Sequence, residues 1–322
     1  MNKLKYLASC ILTAATLASA LSCNCSPENE DITNSVYYWR TTFEIDSAEH
    51  CFIRDNDIRR IYLRMFDVGM EYNFDIGDKD ISPIATTQFI DSVPAGIEIV
   101  PTTFITIEAL REMDLKEEEY AKLIVERLKA MATYNNCGEI KEIQFDCDWT
   151  TSTRDIFDRL CKAAKDSLSQ EGIKLSVTVR LHQLKQEAPE ADYGVLMVYN
   201  TGKLKDPRTK NSILNIDDVR PYLTRSISYP LPLSHAYPLY GWGILFSNGQ
   251  FQRIVTNPDS TAATGSETIR IERPSTEEVL QVKTLVEQSL GKPSRGNIIY
   301  HLDSKQLKEH DNHEISKIFA RN

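Results

Sequence analysis

Eight stretches of this chain read as β-strands, and the segments between them read as helices or long connections. They fall at residues 35–43, 60–69, 96–105, 138–150, 174–184, 193–200, 226–240 and 297–303, each rich in β-branched and aromatic residues or alternating with period two. Residues 193–200 (YGVLMVYN) are almost continuously apolar, as a parallel strand covered on both faces must be. A helix is predicted over 114–134, with Asp114 three before Glu117 in a capping box and Tyr120, Leu123, Ile124, Leu128 and Met131 as its apolar stripe. A second covers 154–170, burying Ile156, Phe157, Leu160, Cys161, Ala164 and Leu168 and stopping at Gly172. A third opens at Pro274 to Glu278 and closes at Gly291, and a polar helix ends the chain. Strands alternating with helices imply an α/β chain, and eight of them imply a (β/α)8 TIM barrel. Residues 183–192 are too few for a full helix, so the barrel should be irregular, and GILF-SNGQ-FQRIV adds a β-hairpin insertion after strand 7, turned at Asn248-Gly249.

The fourth strand, GEIKEIQFDCDWT, ends in acid. Residues two apart share a face, so Asp146 and Asp148 project together at its C-terminal end, about 7 Å apart along the chain. Two carboxylates that close raise one pKa unless a cation or donor compensates. The alternative is that one of them caps the following helix. Barrel active sites lie where strands end, and there the sequence gathers Trp39, Arg40, Asp67, Asp146, Asp148, Arg180, Tyr199, Tyr240, Trp242 and His301.

Residues 1–22 form a secretory leader: Lys3 and Lys5, then an apolar run over 7–21 that is short for a bilayer span. Cys23 follows Ala20-Leu21-Ser22, which resembles a bacterial lipoprotein box, so Cys23 is expected to carry lipid. Residues 23–34 are then a flexible tether and 35–322 a single barrel domain. The protein should be exported and held by its lipid at the membrane, facing the periplasm or the cell surface. The alternative is plain secretion with cleavage near Ser22. Of seven cysteines, the five beyond Cys23 have neither disulfide-framework nor zinc spacing. A formal charge of −9 argues against nucleic acid as the partner, no cofactor is implied, and a monomer is expected.

Two short motifs carry a resemblance. FDCDWT (145–150) and Met197-Val198-Tyr199-Asn200 resemble, respectively, the fourth-strand DxxDxDxE signature and the sixth-strand Met-x-Tyr-Asp motif of the chitinase-like glycoside hydrolases of family 18. The resemblance implies that Asp148 and Tyr199 steady a substrate N-acetyl group and that Asp146, Trp149 and Asn200 belong to the site. It fails at three positions: the acidic glutamate falls at Thr150, the signature's first aspartate at Ile143, and the sixth-strand aspartate at Asn200. Threonine cannot donate a proton at neutral pH, and losing a positioned acid removes roughly a hundredfold to ten-thousandfold of rate.

Two functions remain for a glycan or oligosaccharide partner. One is a glycosidase in which Asp146 or Asp148 acts with Asp67 or Asp303 across the mouth. The other is a non-catalytic glycan-binding protein with Trp39, Tyr240 and Trp242 as platforms. The sequence favours the enzyme narrowly. A third arrangement, a divalent cation on the two aspartates and His301, has no diagnostic spacing.

Overall fold

The computed structural model describes residues 32–223, 227–256 and 263–320. The leader, Cys23 and nearly all of the tether lie outside the described residues. Eight parallel strands form a ring: β1 Asn34–Tyr38, β2 Ile58–Asn73, β3 Glu98–Ile105, β4 Glu142–Asp146, β5 Lys174–Arg180, β6 Tyr193–Met197, β7 Leu233–Pro238 and β8 Asn297–Tyr300. The ring closes because β1 pairs on one side with β8 (Ser35↔Ile298) and on the other with β2 (Val36↔Ile61). Five main helices cover it: α1 Ser47–Asp55, α2 Glu117–Tyr134, α3 Arg154–Ser169, α4 Thr276–Leu290 and α5 Asn312–Phe319.

The eight-strand alternation is therefore realised as a TIM barrel, and it is irregular where expected. Only a 3₁₀ turn, Leu181–Lys185, stands between β5 and β6. The hairpin after β7 is present as Trp242–Ser247 and Gln250–Val255, turning through the left-handed Asn248 and Gly249 (φ 50° and 74°). A third antiparallel strand, Glu267–Glu272, joins it. Another addition has no counterpart in the sequence reading: β2 runs on past the barrel to Asn73 and pairs antiparallel with Asp78–Ile84, outside the ring.

Local capping sets the start of two of these helices. Asp46 and Glu49 form a capping box at α1, and Ser275 with Glu278 does the same at α4. The capping box expected at Asp114 does not form. A short helix, Ile107–Glu112, occupies the preceding residues, α2 begins at Glu117 without a side-chain cap, and the Asp114 carboxylate instead accepts from Arg159 at 2.7 Å. The buried stripe of α2 is also rotated from the expected one, running through Ala121, Ile124, Val125, Leu128 and Ala132 and leaving Leu123 52% exposed. Small residues at 121 and 132 let this helix lie close on its neighbours. α3 buries Phe157, Leu160, Cys161, Ala164 and Leu168 as its periodicity predicts.

All five residues of β4 are buried, and their parity sorts them into two layers. The even positions face the barrel interior: Gln144 accepts from the Tyr37 hydroxyl across the ring at 2.7 Å and donates to Ser176 on β5 at 3.2 Å. Below it, Glu142 is bonded to Arg295; above it stands Asp146. The odd positions, Ile143, Phe145, Cys147 and Trp149, are all at most 1% exposed on the apolar side. The interior is thus polar in layers, and the topmost layer is the acidic end of β4.

Candidate functional site

At the C-terminal mouth, Arg180 organises the acids. It is the last residue of β5, and the register Phe145↔Val177 carries it two residues past the level of Asp146, so its guanidinium reaches both aspartates of the neighbouring segment. Its Nε donates to Asp148 Oδ1, and its Nη2 approaches Asp146 Oδ1 at 3.5 Å. Asp146 also accepts from the Thr178 hydroxyl at 2.5 Å. The pair predicted to stand side by side is divided by depth: Asp146 is 4% exposed, whereas Asp148 is an exposed residue. Burial pushes the Asp146 carboxyl above the usual carboxylate range; Arg180 pulls it back and Asp148 adds to the rise. The two aspartates in turn hold the Arg180 guanidinium protonated against the cost of its own burial.

Asp67 lies on the same rim. It accepts from Arg64 through both carboxylate oxygens, Nε to Oδ1 at 2.7 Å and Nη2 to Oδ2. Residues three apart on a regular strand face opposite ways; here a bulge at Met65, where the register with β3 shifts between Arg64 and Phe66, brings them onto one side. The Arg64 guanidinium also sits 5.8 Å from the centre of the Trp39 ring.

An aromatic cluster covers the layer beneath. Tyr300, at the end of β8, lies 4.7 Å from Tyr199, 5.5 Å from Tyr240, 5.7 Å from Tyr37 and 5.8 Å from Trp39 between ring centres. Tyr240 continues to Trp242 at 5.3 Å, and its hydroxyl donates to Asn200 Oδ1 at 2.7 Å. The Tyr199 hydroxyl is turned onto Met197 Sδ at 2.9 Å, and burial holds its pKa well above the ordinary tyrosine value. Trp242 is fixed by its indole Nε1, which donates to the buried Glu272 at 2.8 Å.

Two residues of the predicted set stand apart from this mouth. Trp149 is 1% exposed and stacks on Phe157 of α3 at 6.4 Å, because its odd position in the β4 segment places it in the helix-facing layer. Arg40 donates to Glu49 Oε2 at 2.9 Å and to the Glu44 carbonyl at 2.7 Å, tying the exit of β1 to the start of α1. Asp303 caps the short helix Ser304–Leu307, accepting from the Lys305 amide at 2.9 Å. Thr150 is exposed and hydrogen-bonded to Ser152 at 3.0 Å. Among the described residues, no group of three or more His, Cys, Asp or Glu side chains could hold a metal ion, so Asp146, Asp148 and His301 do not form the cation site considered above. Tyr300 and Tyr37 were not singled out from the sequence. Tyr300 precedes a residue that was, and its place at a strand end is the signal that could have found it.

Two cavities open at this end. The larger, about 740 Å³, lies between the three-stranded sheet and the segment following β8; the smaller, about 330 Å³, holds Asp148, Arg180, His182 and Tyr199. Asn200 lines both, in a left-handed conformation with φ 54°.

No family model matches the chain, and no curated protein does. Solved structures do. A chitinase from Chromobacterium violaceum ATCC 12472 superposes with a TM-score of 0.58 at 13% identity, over 90% of this chain and 100% of that one. The barrel has the chitinase fold. The Bacillus megaterium QM B1551 spore cortex-lytic enzyme SleL gives 0.55 at 15% identity, covering 92% of this chain and 76% of that one. The chitinase-like agglutinin RobpsCRA from Robinia pseudoacacia gives 0.51 at 11% identity, covering 89% and 99%. At these identities the likeness is one of fold, and the chemistry has to be argued from the mouth itself.

Proposed function

We propose that this chitinase-type barrel binds a glycan across its C-terminal mouth as an exported, lipid-anchored protein, and that it does not cleave its ligand by the chitinase route. The observation that carries the second half is the state of the acids: Asp67 is engaged by Arg64, Asp146 and Asp148 are engaged by Arg180, and position 150 holds a threonine. A carboxylate whose oxygens face a guanidinium is set to accept hydrogen bonds, as from sugar hydroxyls, and lacks the free approach to a leaving oxygen that a proton donor needs. The aromatic run from Trp39 through Tyr300 and Tyr240 to Trp242 supplies apolar faces for sugar rings. That a chitinase-like agglutinin shares the fold supports a binding role for such a barrel.

A second reading keeps hydrolysis, because burial raises the pKa of Asp146 and would favour a protonated carboxyl there. It requires Arg180 to withdraw and open a path to a residue now 4% exposed.

The experiment is to incubate the purified barrel domain with a panel of plant, microbial and host-type glycans, recording both binding and release of reducing ends. Binding without release is the expected outcome; stoichiometric turnover of any bound glycan would replace this reading with the second. Lipid attachment is tested separately. Cys23→Ser should move the protein from the membrane fraction to the soluble one, and incorporation of labelled lipid into that variant would refute the anchor.

A further inference from the structure

Away from the mouth, a groove of about 600 Å³ runs between α4 and α5 on the outside of the barrel. It is lined by Lys283, Glu287 and Gln288 of α4, by Lys317 of α5, and by Lys292 just past the end of α4. Three lysines meet one glutamate there, on a chain whose formal net charge is −9. Such a local excess of positive charge on an acidic protein favours an anion in the groove.

The charges differ in how far they are committed. Lys283 is 3% exposed and forms the floor, with its Nζ bonded to Glu287 Oε1 at 2.8 Å, the pairing that a buried ammonium requires. Lys292 and Lys317 are exposed along the groove. Lys317 also meets Glu314 at 2.5 Å, but that pair is open to water on both sides and contributes little, so another anion can replace it. Lys292 has no ion pair among the described residues.

The groove lies near the point where the chain enters the barrel. Lys292 belongs to the loop leading into β8, in which the Ser294 amide donates to the Leu233 carbonyl at the start of β7 at 2.7 Å, and the Arg295 carbonyl accepts from the Thr33 amide at 3.2 Å. Thr33 is ten residues after Cys23, a reach of at most about 36 Å when fully extended. A lipid on Cys23 therefore confines this end of the barrel to the neighbourhood of the headgroups and raises their effective concentration at the groove.

Resting on the lipid-anchor reading, we propose that the groove between α4 and α5 binds the phosphate of a phospholipid headgroup, with Lys292, Lys317 and Gln288 as donors over the Lys283–Glu287 floor. The mouth stands at the other end of the strands, so this contact turns the mouth away from the bilayer.

The test is lysine footprinting of the whole acylated protein, reconstituted into vesicles of phosphatidylglycerol or of a phosphate-free galactolipid, acetylated, and read by mass spectrometry. Lys292 and Lys317 should react at least about threefold more slowly on phosphatidylglycerol. Lys162, exposed on α3 across the ring, should react equally on both. Gln288→Glu, an isosteric change at an exposed position, adds a carboxylate beside the lysines and should remove the protection without lowering the melting temperature. Soluble Cys23→Ser protein in millimolar inorganic phosphate, at matched ionic strength, separates the sources of the anion: little protection is expected without the anchor. Protection there as strong as on vesicles would assign the groove to free phosphate and overturn the headgroup. Equal reactivity of Lys292 and Lys317 on the two bilayers, protection of Lys162 as strong as theirs, or protection that survives Gln288→Glu would overturn the site while leaving the anchor in place. Failure of the protein to float with either vesicle would instead remove the anchor, and this inference with it.

Discussion

Arg180→Met should cost about 3–5 kcal/mol of folding stability at neutral pH, the penalty for stripping a buried carboxylate of its partner. The Asp146 side chain is 5% exposed and that of Arg180 18%, so solvent can do little to replace the missing guanidinium. The loss should depend on pH in a defined direction. The folded-state pKa of Asp146 is already raised above its unfolded value, with burial the largest cause, and removing Arg180 raises it further. A carboxyl with a raised folded pKa favours the folded state at low pH, and that advantage disappears as the pH climbs through the folded value. Urea titrations should therefore find the deficit of Arg180→Met larger at pH 8 than at pH 5. An equal deficit at both would mean that the arginine contributes packing and not charge.

Asp148→Asn should act on binding instead. Its side chain is 51% exposed, and an ion pair so open to water contributes little to stability, about 1 kcal/mol at most. As an acceptor for sugar hydroxyls, however, a carboxylate contributes about 1.5–3 kcal/mol, and its loss should weaken glycan binding roughly tenfold to a hundredfold. Thermal melting beside a binding titration separates the two effects: unchanged affinity with a lowered melting point would make Asp148 a structural partner of Arg180 and nothing more. Thr150→Glu in the same assay is expected to bind without cleaving, because Arg180 still holds Asp148 and Met197 still holds the Tyr199 hydroxyl. Hydrolysis by that single variant would show that the acid was all the mouth lacked.

Much of the barrel was legible because period-two and period-three-to-four patterns are local. The α3 stripe and the acid at the end of β4 follow directly from the spacing of residues along single elements. The failures are equally physical. Asp114 has the spacing of a cap, yet Arg159 on another helix competes for its carboxylate, and spacing carries no information about that helix. Trp149 sits beside a site motif, but the parity of a strand sends neighbours to opposite layers, and its ring goes to α3. The pairing of Asp67 with Arg64 depends on a bulge at Met65, which no alternation rule anticipates. Above all, the division of labour between Asp146 and Asp148 depends on Arg180, thirty-odd residues away, and emerges only when β4 and β5 lie side by side.

The closing seam between β1 and β8 bears on the order in which the chain can assemble. Ser35 meets Ile298, so the two strands that complete the ring come from opposite ends of the described residues. Every other neighbour in the ring is reached through a shorter loop, and contacts of long sequence separation form late because the chain entropy of closing them is lost first. During synthesis, β1 can pair with β2 early, but its other edge must wait until residues 297–300 have emerged. Until then β1 and β7 each present an unpaired row of backbone donors and acceptors, the kind of edge on which chains associate with one another. The last strand to be made is thus the one that removes both edges at once.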